Sequence, residues 1–178
     1  MYKYLIPFLF YVVSEPLIEL LTGNIILSYS IRTAGTGIFL LYFYKQYRLK
    51  FRLSLPSMLI GILISIFWIV LDPLFPHLGN SAYEPATTYA IVIKIIGFLL
   101  IAPLIEELFV RDFLVRFFIG KNWRKVRIGT FGWLSFVITV LFFGFSHNQW
   151  LSALVVGIVL NLLLYKTKRI DTCIQAHF

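Results

Sequence analysis

Long apolar stretches alternate with short polar segments along the whole chain. A helix needs about 20 mostly apolar residues to cross the hydrocarbon core of a bilayer, which is roughly 30 Å thick. The pattern therefore predicts six membrane-spanning helices, at about Tyr4–Leu21, Ile26–Tyr44, Pro56–Leu71, Tyr89–Phe118, Phe131–His147 and Trp150–Tyr165. A seventh apolar segment begins after Arg169. We expect an all-α, polytopic transmembrane helix bundle with six full spans and the start of a seventh.

The segments between these spans are biased in charge. Of the 16 Lys and Arg residues, three (Arg32, Lys94 and Arg111) fall within predicted spans when Arg116, at the inner end of the fourth, is counted with the inner side. The other 13 lie on the side that a cytoplasmic amino terminus would place inside, whereas the longest connection, 72–88, carries only acidic charge. Because Lys and Arg mark the cytoplasmic side of membrane proteins, we expect the amino terminus to be cytoplasmic.

The composition supports this class. The chain is 60% hydrophobic with a mean hydropathy of +0.87, values that exclude a soluble globular domain. A net charge of +8 would suggest nucleic acid in a soluble protein. Here the basic residues lie between spans, with no aromatic-interleaved basic face. We therefore expect membrane lipid, and not nucleic acid, as a partner; the oligomeric state is left open.

The chain shows no internal repeat, so we expect one transmembrane domain over residues 1–178, with its motif-bearing half at about 89–178. Its single cysteine, Cys173, excludes an internal disulfide. The six residues Cys173–Phe178 would rise only about 9 Å as a helix, against a core of about 30 Å. We therefore expect the carboxyl terminus to be truncated.

The fourth predicted span contains eleven uncharged residues in a row, followed by the charged residues Glu106, Glu107 and Arg111. An ionised side chain within the bilayer costs about 2.5–3.5 kcal/mol on insertion scales, so intramembrane charge predicts a functional site. Glu107 and Arg111 are four residues apart and can pair along one helix face. Glu106 lies about 100° further round the helix and can point into the bundle.

Two histidines can join Glu106. His147 ends the fifth predicted span, one turn after Phe143, and His177 lies in the last apolar segment. Apolar surroundings raise the pKa of a carboxyl group toward neutrality, which suits a general base that takes a proton from water. Nearby imidazoles could position that water or bind an oxyanion. Alternatively Glu106, His147 and His177 could bind Zn²⁺, since one Glu and two His form an accepted catalytic ligand set.

The order and spacing of these residues resemble the CPBP family of intramembrane proteases, which includes the type II CAAX prenyl endopeptidases and bacteriocin-processing proteins. The resemblance rests on Glu106-Glu107-x-x-x-Arg111, then Phe143-x-x-x-His147, then His177, and covers about residues 89–178. The short chain is also similar to CAAX-protease-related proteins that accompany bacterial exosortases. This likeness implies an integral protein of a prokaryotic inner (plasma) membrane.

The resemblance implies an endopeptidase that cleaves a membrane-associated or lipidated peptide without a cofactor. In such enzymes the residue matching Glu106 activates water together with the one matching His147, and the one matching His177 helps to bind the oxyanion. Glu107 and Arg111 would brace the site. The asparagine of the family's HxxxN motif would fall three residues after Phe178, so we expect little activity from residues 1–178 alone.

Two other classes stay open: a non-catalytic membrane protein of the same fold, such as an immunity or assembly factor, and an ion-coupled carrier using Glu15, Glu19 and Glu106. Glu15 and Glu19 need partners within the bilayer, for which Arg32 and Lys94 are the candidates.

Two further residues carry expectations of their own. Asn161 is expected to form a hydrogen bond between helices. Cys173 lies four residues before His177, so the two could form a cysteine–histidine dyad, but packing is the commoner role for such a cysteine.

Overall fold

The computed structural model describes residues 1–79, 84–85 and 87–178, and within these ranges every regular element is a helix. In chain order the helices are α1 (Tyr2–Thr22), α2 (Ile25–Tyr47), α3 (Leu55–Leu71), α4 (Thr88–Phe117), α5 (Trp133–Phe145), α6 (Trp150–Thr167) and α7 (Ile170–His177). Short 3₁₀ turns follow α3 and α4, at Asp72–Leu74 and Trp123–Lys125. The prediction of an all-α helical membrane bundle is confirmed.

The helices differ in their capacity to cross a membrane. Within the described residues, α1, α2, α4 and α6 are long and apolar enough to do so, whereas α3 and α5 are shorter apolar helices of 17 and 13 residues. Part of the predicted outer connection, residues 80–83 and 86, lies outside the described residues.

The fifth helix is shorter than the predicted span Phe131–His147, and His147 lies just beyond its carboxyl end. The Ser146 hydroxyl donates to the carbonyl of Phe143 at 2.9 Å. Such local side-chain bonds compete with the helical ladder, and the helix ends there. The observed helix therefore ends two residues before the approximate end of the predicted span.

The connection between α1 and α2 forms as the sequence Thr22-Gly23-Asn24 predicts. Gly23 adopts a left-handed conformation, with φ of 64°, and its N–H donates to the carbonyl of Glu19 at 2.8 Å. Asn24 then caps α2, because its side-chain oxygen accepts from the N–H of Leu27 at 3.0 Å. The two helices are joined by this turn alone, so they pack side by side.

The helix α4 is not a regular α-helix, and the expectation that it would be one is wrong over two segments. Gly97–Ile101 and Glu107–Leu114 are π-helical. In the first segment the N–H of Ala102 donates to the carbonyl of Gly97, five residues back. Pro103 follows at once and has no N–H of its own to continue an α-helical ladder. The second segment covers Glu107 and Arg111, and π-helical turns are often found at functional sites.

Contacts divide the chain into two compact units. The first contains α1, α2 and α4 as far as Phe109, and the second contains α3 and the chain from Val110 onward. In the first, the rings of Phe10 on α1 and Phe39 on α2 meet at 5.2 Å. In the second, α5 and α6 form a helical hairpin, and α7 packs on α3 and α6. The single transmembrane domain stays a prediction.

Candidate active site

Glu106 belongs to the first unit, at the end of the α-helical stretch Ala102–Glu106, and its side chain is half-buried. The helix α1 packs alongside, since the ring of Phe8 stacks on that of Phe109 with centroids 3.7 Å apart. Tyr11 on α1 and Arg32 on α2 both interact electrostatically with the Glu106 carboxylate. The neighbours of this carboxylate therefore include polar and charged groups from two other helices.

Arg32 is held from several sides. Its guanidinium forms an ion pair with Glu15 of α1. The same group hydrogen-bonds the hydroxyl of Tyr11 and lies over two aromatic rings, 4.0 Å from the centroid of Tyr29 and 4.9 Å from that of Tyr11. The expected bracing of Glu15 by Arg32 between the first two spans is thereby confirmed.

In the second unit, the ring of Phe143 is the centre of a cluster of predicted site residues. The guanidinium carbon of Arg111 lies 4.2 Å from its centroid. The rings of His147 and His177 lie at centroid distances of 4.7 and 5.5 Å. Phe143 itself is buried. We call these four residues the Phe143 cluster; it brings together three of the side chains that the sequence singled out.

Arg111 and its neighbour Glu107 are both fully buried, with 0% of each residue exposed. The guanidinium of Arg111 donates to the carbonyl of Gly157 on α6 at 3.4 Å. A β-carbon at Gly157 would lie 3.4 Å from the Phe143 ring, so α5 and α6 pack closely at this point. The expected pairing of Glu107 with Arg111 stays a prediction.

His147 is oriented by the main chain. Its Nδ1 lies 2.7 Å from the carbonyl oxygen of Phe143 and 3.2 Å from the hydroxyl of Ser146. Because a carbonyl oxygen can only accept, Nδ1 carries the proton, and in the neutral ring Nε2 carries the lone pair. The ring also meets Trp68 of α3 edge-on, at 6.3 Å between centroids. His147 therefore has a fixed tautomer whose Nε2 can accept a hydrogen bond.

The helix α7, which carries His177, is fastened to the segment before α3. The Asp171 carboxylate accepts from the backbone N–H of Arg52 at 3.0 Å and pairs with Arg169 at 2.5 Å. Gln175 accepts from the N–H of Ser54 at 2.8 Å and donates to the carbonyl of Arg52 at 3.0 Å. We call these contacts the α7 clamp; they fix the helix from which His177 projects.

Asp171 lies outside the helices long enough to span. Burial raises the pKa of its carboxyl group, but the hydrogen bonds from Arg169 and from the backbone of Arg52 outweigh burial and hold the pKa below its ordinary value. Sequence reasoning missed the α7 clamp. The only local signal was the alternation of Arg169 and Asp171 at the start of an apolar segment.

Comparison with known proteins gives one match. The family model for the type II CAAX prenyl endopeptidases, Rce1-like, matches residues 88–178, slightly more than half of the chain. The chain belongs to this family. No curated protein and no solved structure matches it. The protein is accordingly an integral membrane protein of an intramembrane protease family, and the expected resemblance is confirmed.

In this Rce1-like chain the matched segment holds Glu106, Glu107 and the whole Phe143 cluster, whereas α1, α2 and α3 lie outside it. Glu106 lies in the first unit, and Arg111, His147 and His177 lie in the second. The expected meeting of Glu106 with the two histidines therefore stays a prediction.

Two other polar residues of this Rce1-like chain serve packing. Asn161 on α6 donates to the hydroxyl of Thr139 on α5 at 2.9 Å, which confirms the expected bond between helices. The buried thiol of Cys173 donates to the carbonyl of Leu160 at 3.5 Å, a contact that fits a packing role for the cysteine.

A zinc site needs several His, Cys, Asp or Glu side chains close together. Across the ranges 1–79, 84–85 and 87–178, no group of three or more His, Cys, Asp and Glu side chains is arranged to hold a metal ion. Zinc at Glu106, His147 and His177 stays an untested alternative, which chelation can decide.

Proposed function

We propose that this chain is an intramembrane endopeptidase that hydrolyses a peptide bond with water activated by Glu106. The observation that carries the proposal is the match of residues 88–178 to the Rce1-like family, because that segment contains Glu106, His147 and His177. The half-buried histidines of the Phe143 cluster, whose rings both contact that of Phe143, support it, since a hydrolytic site needs groups held in fixed positions.

In the proposed reaction the Glu106 carboxylate takes a proton from water as the water oxygen attacks the peptide carbonyl carbon. His147 accepts a hydrogen bond from that water through Nε2, the nitrogen left with a lone pair by the bond from Nδ1 to Phe143. His177 donates to the oxyanion of the tetrahedral intermediate. As the C–N bond breaks, Glu106 returns its proton to the amine, and a carboxylate and an amine leave.

The roles of Glu107 and Arg111 are proposed to be structural. Both are fully buried, and Arg111 contacts the Phe143 ring and the carbonyl of Gly157. A buried arginine held by a ring and a backbone carbonyl can fix the helix that carries it. Arg111 therefore braces the Phe143 cluster without touching the substrate.

The proposed substrate is a membrane-associated or lipidated peptide. An apolar groove of about 260 Å³ runs between α3 and α6 within the second unit. It is lined only by apolar side chains, among them Ile60, Phe67 and Val156. Such a groove can hold an alkyl chain, and it lies on the same helix as Gly157, the acceptor of Arg111. We further propose a prokaryotic inner membrane, from the likeness to proteins that accompany bacterial exosortases. We also propose a cytoplasmic amino terminus, from the one-sided distribution of Lys and Arg.

The experiment that tests this function compares Glu106→Gln with the parent protein, expressed with any sequence that follows Phe178 and reconstituted in liposomes. Cleavage of membrane-associated and lipidated peptides is followed by mass spectrometry. We expect Glu106→Gln to lower kcat about 10²- to 10⁴-fold, because the general base is lost. The matched control is Glu19→Gln, an exposed carboxylate of α1, which should cleave normally.

Cleavage that survives Glu106→Gln, in a protein whose unfolding temperature is unchanged, would contradict the role of Glu106 as the base. Absence of cleavage in the parent protein would instead favour a non-catalytic member of the family. Exhaustive chelation decides the metal question separately. Activity that persists under chelation removes the zinc alternative, whereas activity that is lost and then restored by Zn²⁺ supports it.

A further inference from the structure

The helices α1 and α2 lie outside the segment that matches the family, yet they supply charged neighbours to Glu106. The ion pair of Glu15 with Arg32 sits within two predicted spans, where charged groups are expensive. Buried ion pairs often contribute little net stability, because removing both charges from water costs as much as their attraction returns. Stability alone therefore does not explain why Glu15 and Arg32 are present in these spans.

The packing of α1 against α4 places the ion pair of Glu15 and Arg32 near Glu106. Phe8 stacks on Phe109, and one turn away on each helix lie Tyr11 and Glu106. This register places Tyr11 near the Glu106 carboxylate, whose charge acts on the tyrosine hydroxyl. Tyr11 also hydrogen-bonds Arg32, which interacts with Glu106 in turn. Three helices thus converge on one carboxylate.

Arg32 is poorly able to move. The rings of Tyr11 and Tyr29 lie 4.9 and 4.0 Å from its guanidinium carbon, and Glu15 pairs with one of its nitrogens. A guanidinium is planar and always charged, so a group held in this way acts as a fixed positive charge. A fixed cation near a carboxylate favours its ionised form and one orientation of its oxygens.

We propose that Arg32 is a positioning residue for Glu106, and that Glu15, Tyr11 and Tyr29 hold Arg32 in place for this purpose. The inference deepens the proposed function and rests on Glu106 being the base. It assigns to α1 and α2, which the family model does not cover, the task of setting the charge and orientation of the carboxylate that activates water.

The kinetic test uses Arg32→Met, Arg32→Lys and Glu15→Gln in the full-length protein. We expect Arg32→Met to lower kcat about 10- to 100-fold, the effect of misplacing a catalytic group by about 1 Å, with KM changed less than about twofold. Arg32→Lys keeps the charge and should recover most of this loss. Glu15→Gln should give a smaller loss of kcat, because Arg32 keeps its charge but loses an anchor. The exposed neighbour Glu19→Gln is the control.

A loss confined to KM, equal losses for the lysine and methionine variants, or an unchanged kcat in Arg32→Met would overturn the inference. Should Arg32→Met fail to fold, Glu15→Gln decides. A reduced kcat with unchanged KM supports the inference, and parental kinetics overturn it.

A second test does not need activity. Unfolding temperatures in detergent are measured for Arg32→Met, Glu106→Gln and the double variant. If Arg32 acts on Glu106, the effect of Arg32→Met should be smaller in the Glu106→Gln background by about 2–4 °C. Additive changes would overturn the inference. If Glu106→Gln still cleaves peptide, the proposed function fails, but this coupling still shows whether Arg32 and Glu106 interact.

Discussion

The surroundings of Glu106 and those of Phe143 are built from different interactions. In the first unit, charges and tyrosines from α1 and α2 act on Glu106, so the identity of each side chain matters. In the second unit, His147 is held by a backbone carbonyl and by ring contacts that many sequences could supply. The position of His147 thus depends on packing and main-chain geometry, whereas α1 and α2 contribute specific charge near Glu106.

The largest loss of stability is expected for a substitution at Phe143. Phe143→Leu removes the ring that contacts Arg111, His147 and His177. A desolvated cation–π contact is worth about 2 kcal/mol, and the smaller side chain also leaves a cavity. We expect the free energy of unfolding to fall by about 2–4 kcal/mol, measured by thermal unfolding in detergent, and cleavage to fall with it.

Phe145→Leu is the matched control for this substitution. Phe145 lies two residues further along the chain, is 58% exposed and stacks on Trp150. Its replacement should change the unfolding free energy by less than about 0.5 kcal/mol, as usual for surface positions. Equal effects of the two substitutions would show that the Phe143 cluster is not a specific support.

The α7 clamp sharpens the comparison, because it holds a helix of the second unit through a carboxylate. The pKa of Asp171 is lowered in the folded state. Its contribution is therefore complete above the unfolded pKa of about 4 and is lost as pH falls through the lower folded value. Asp171→Asn should destabilise the protein by about 1.5 kcal/mol at pH 7, and the difference should shrink below pH 4.

The pH dependence of the unfolding temperature, measured for the parent protein and for Asp171→Asn, checks this sign. A deficit that stayed constant from pH 7 to pH 3.5 would show that the substitution acts through packing and not through the carboxylate charge.

The smallest loss of stability is expected for a substitution in the hairpin of α5 and α6. Asn161→Leu removes the bond to Thr139. Hydrogen bonds between membrane helices are worth about 0.6 kcal/mol on average. We expect a loss of that size in reversible unfolding in detergent, with cleavage unchanged. A loss above about 2 kcal/mol would mean that this bond is part of the support of the site.

Much of the fold could be predicted from the sequence, because apolar length and turn chemistry act locally. The Thr22-Gly23-Asn24 turn and the boundaries of α2 and α6 follow directly from capping residues and hydrophobic runs. The pairing of Glu15 with Arg32 was predictable for a different reason. An ionised side chain in a span requires a partner, and few partners exist.

Other features could not be predicted, because they depend on tertiary packing and main-chain geometry. The tautomer of His147 follows from the carbonyl of Phe143, and no sequence pattern specifies that distance. The π-helical segment Glu107–Leu114 changes the hydrogen-bond register without a change in hydrophobic pattern. The α7 clamp joins residues more than one hundred positions apart.

That separation sets an order of assembly. The segment that receives α7 is synthesised more than one hundred residues before Asp171 and Gln175. Domains form from the amino terminus during synthesis, at about 5–20 residues per second. The residues that bind Asp171 and Gln175 are therefore synthesised several seconds before His177 leaves the ribosome, and the imidazole on α7 is the last of the proposed reactive groups to arrive.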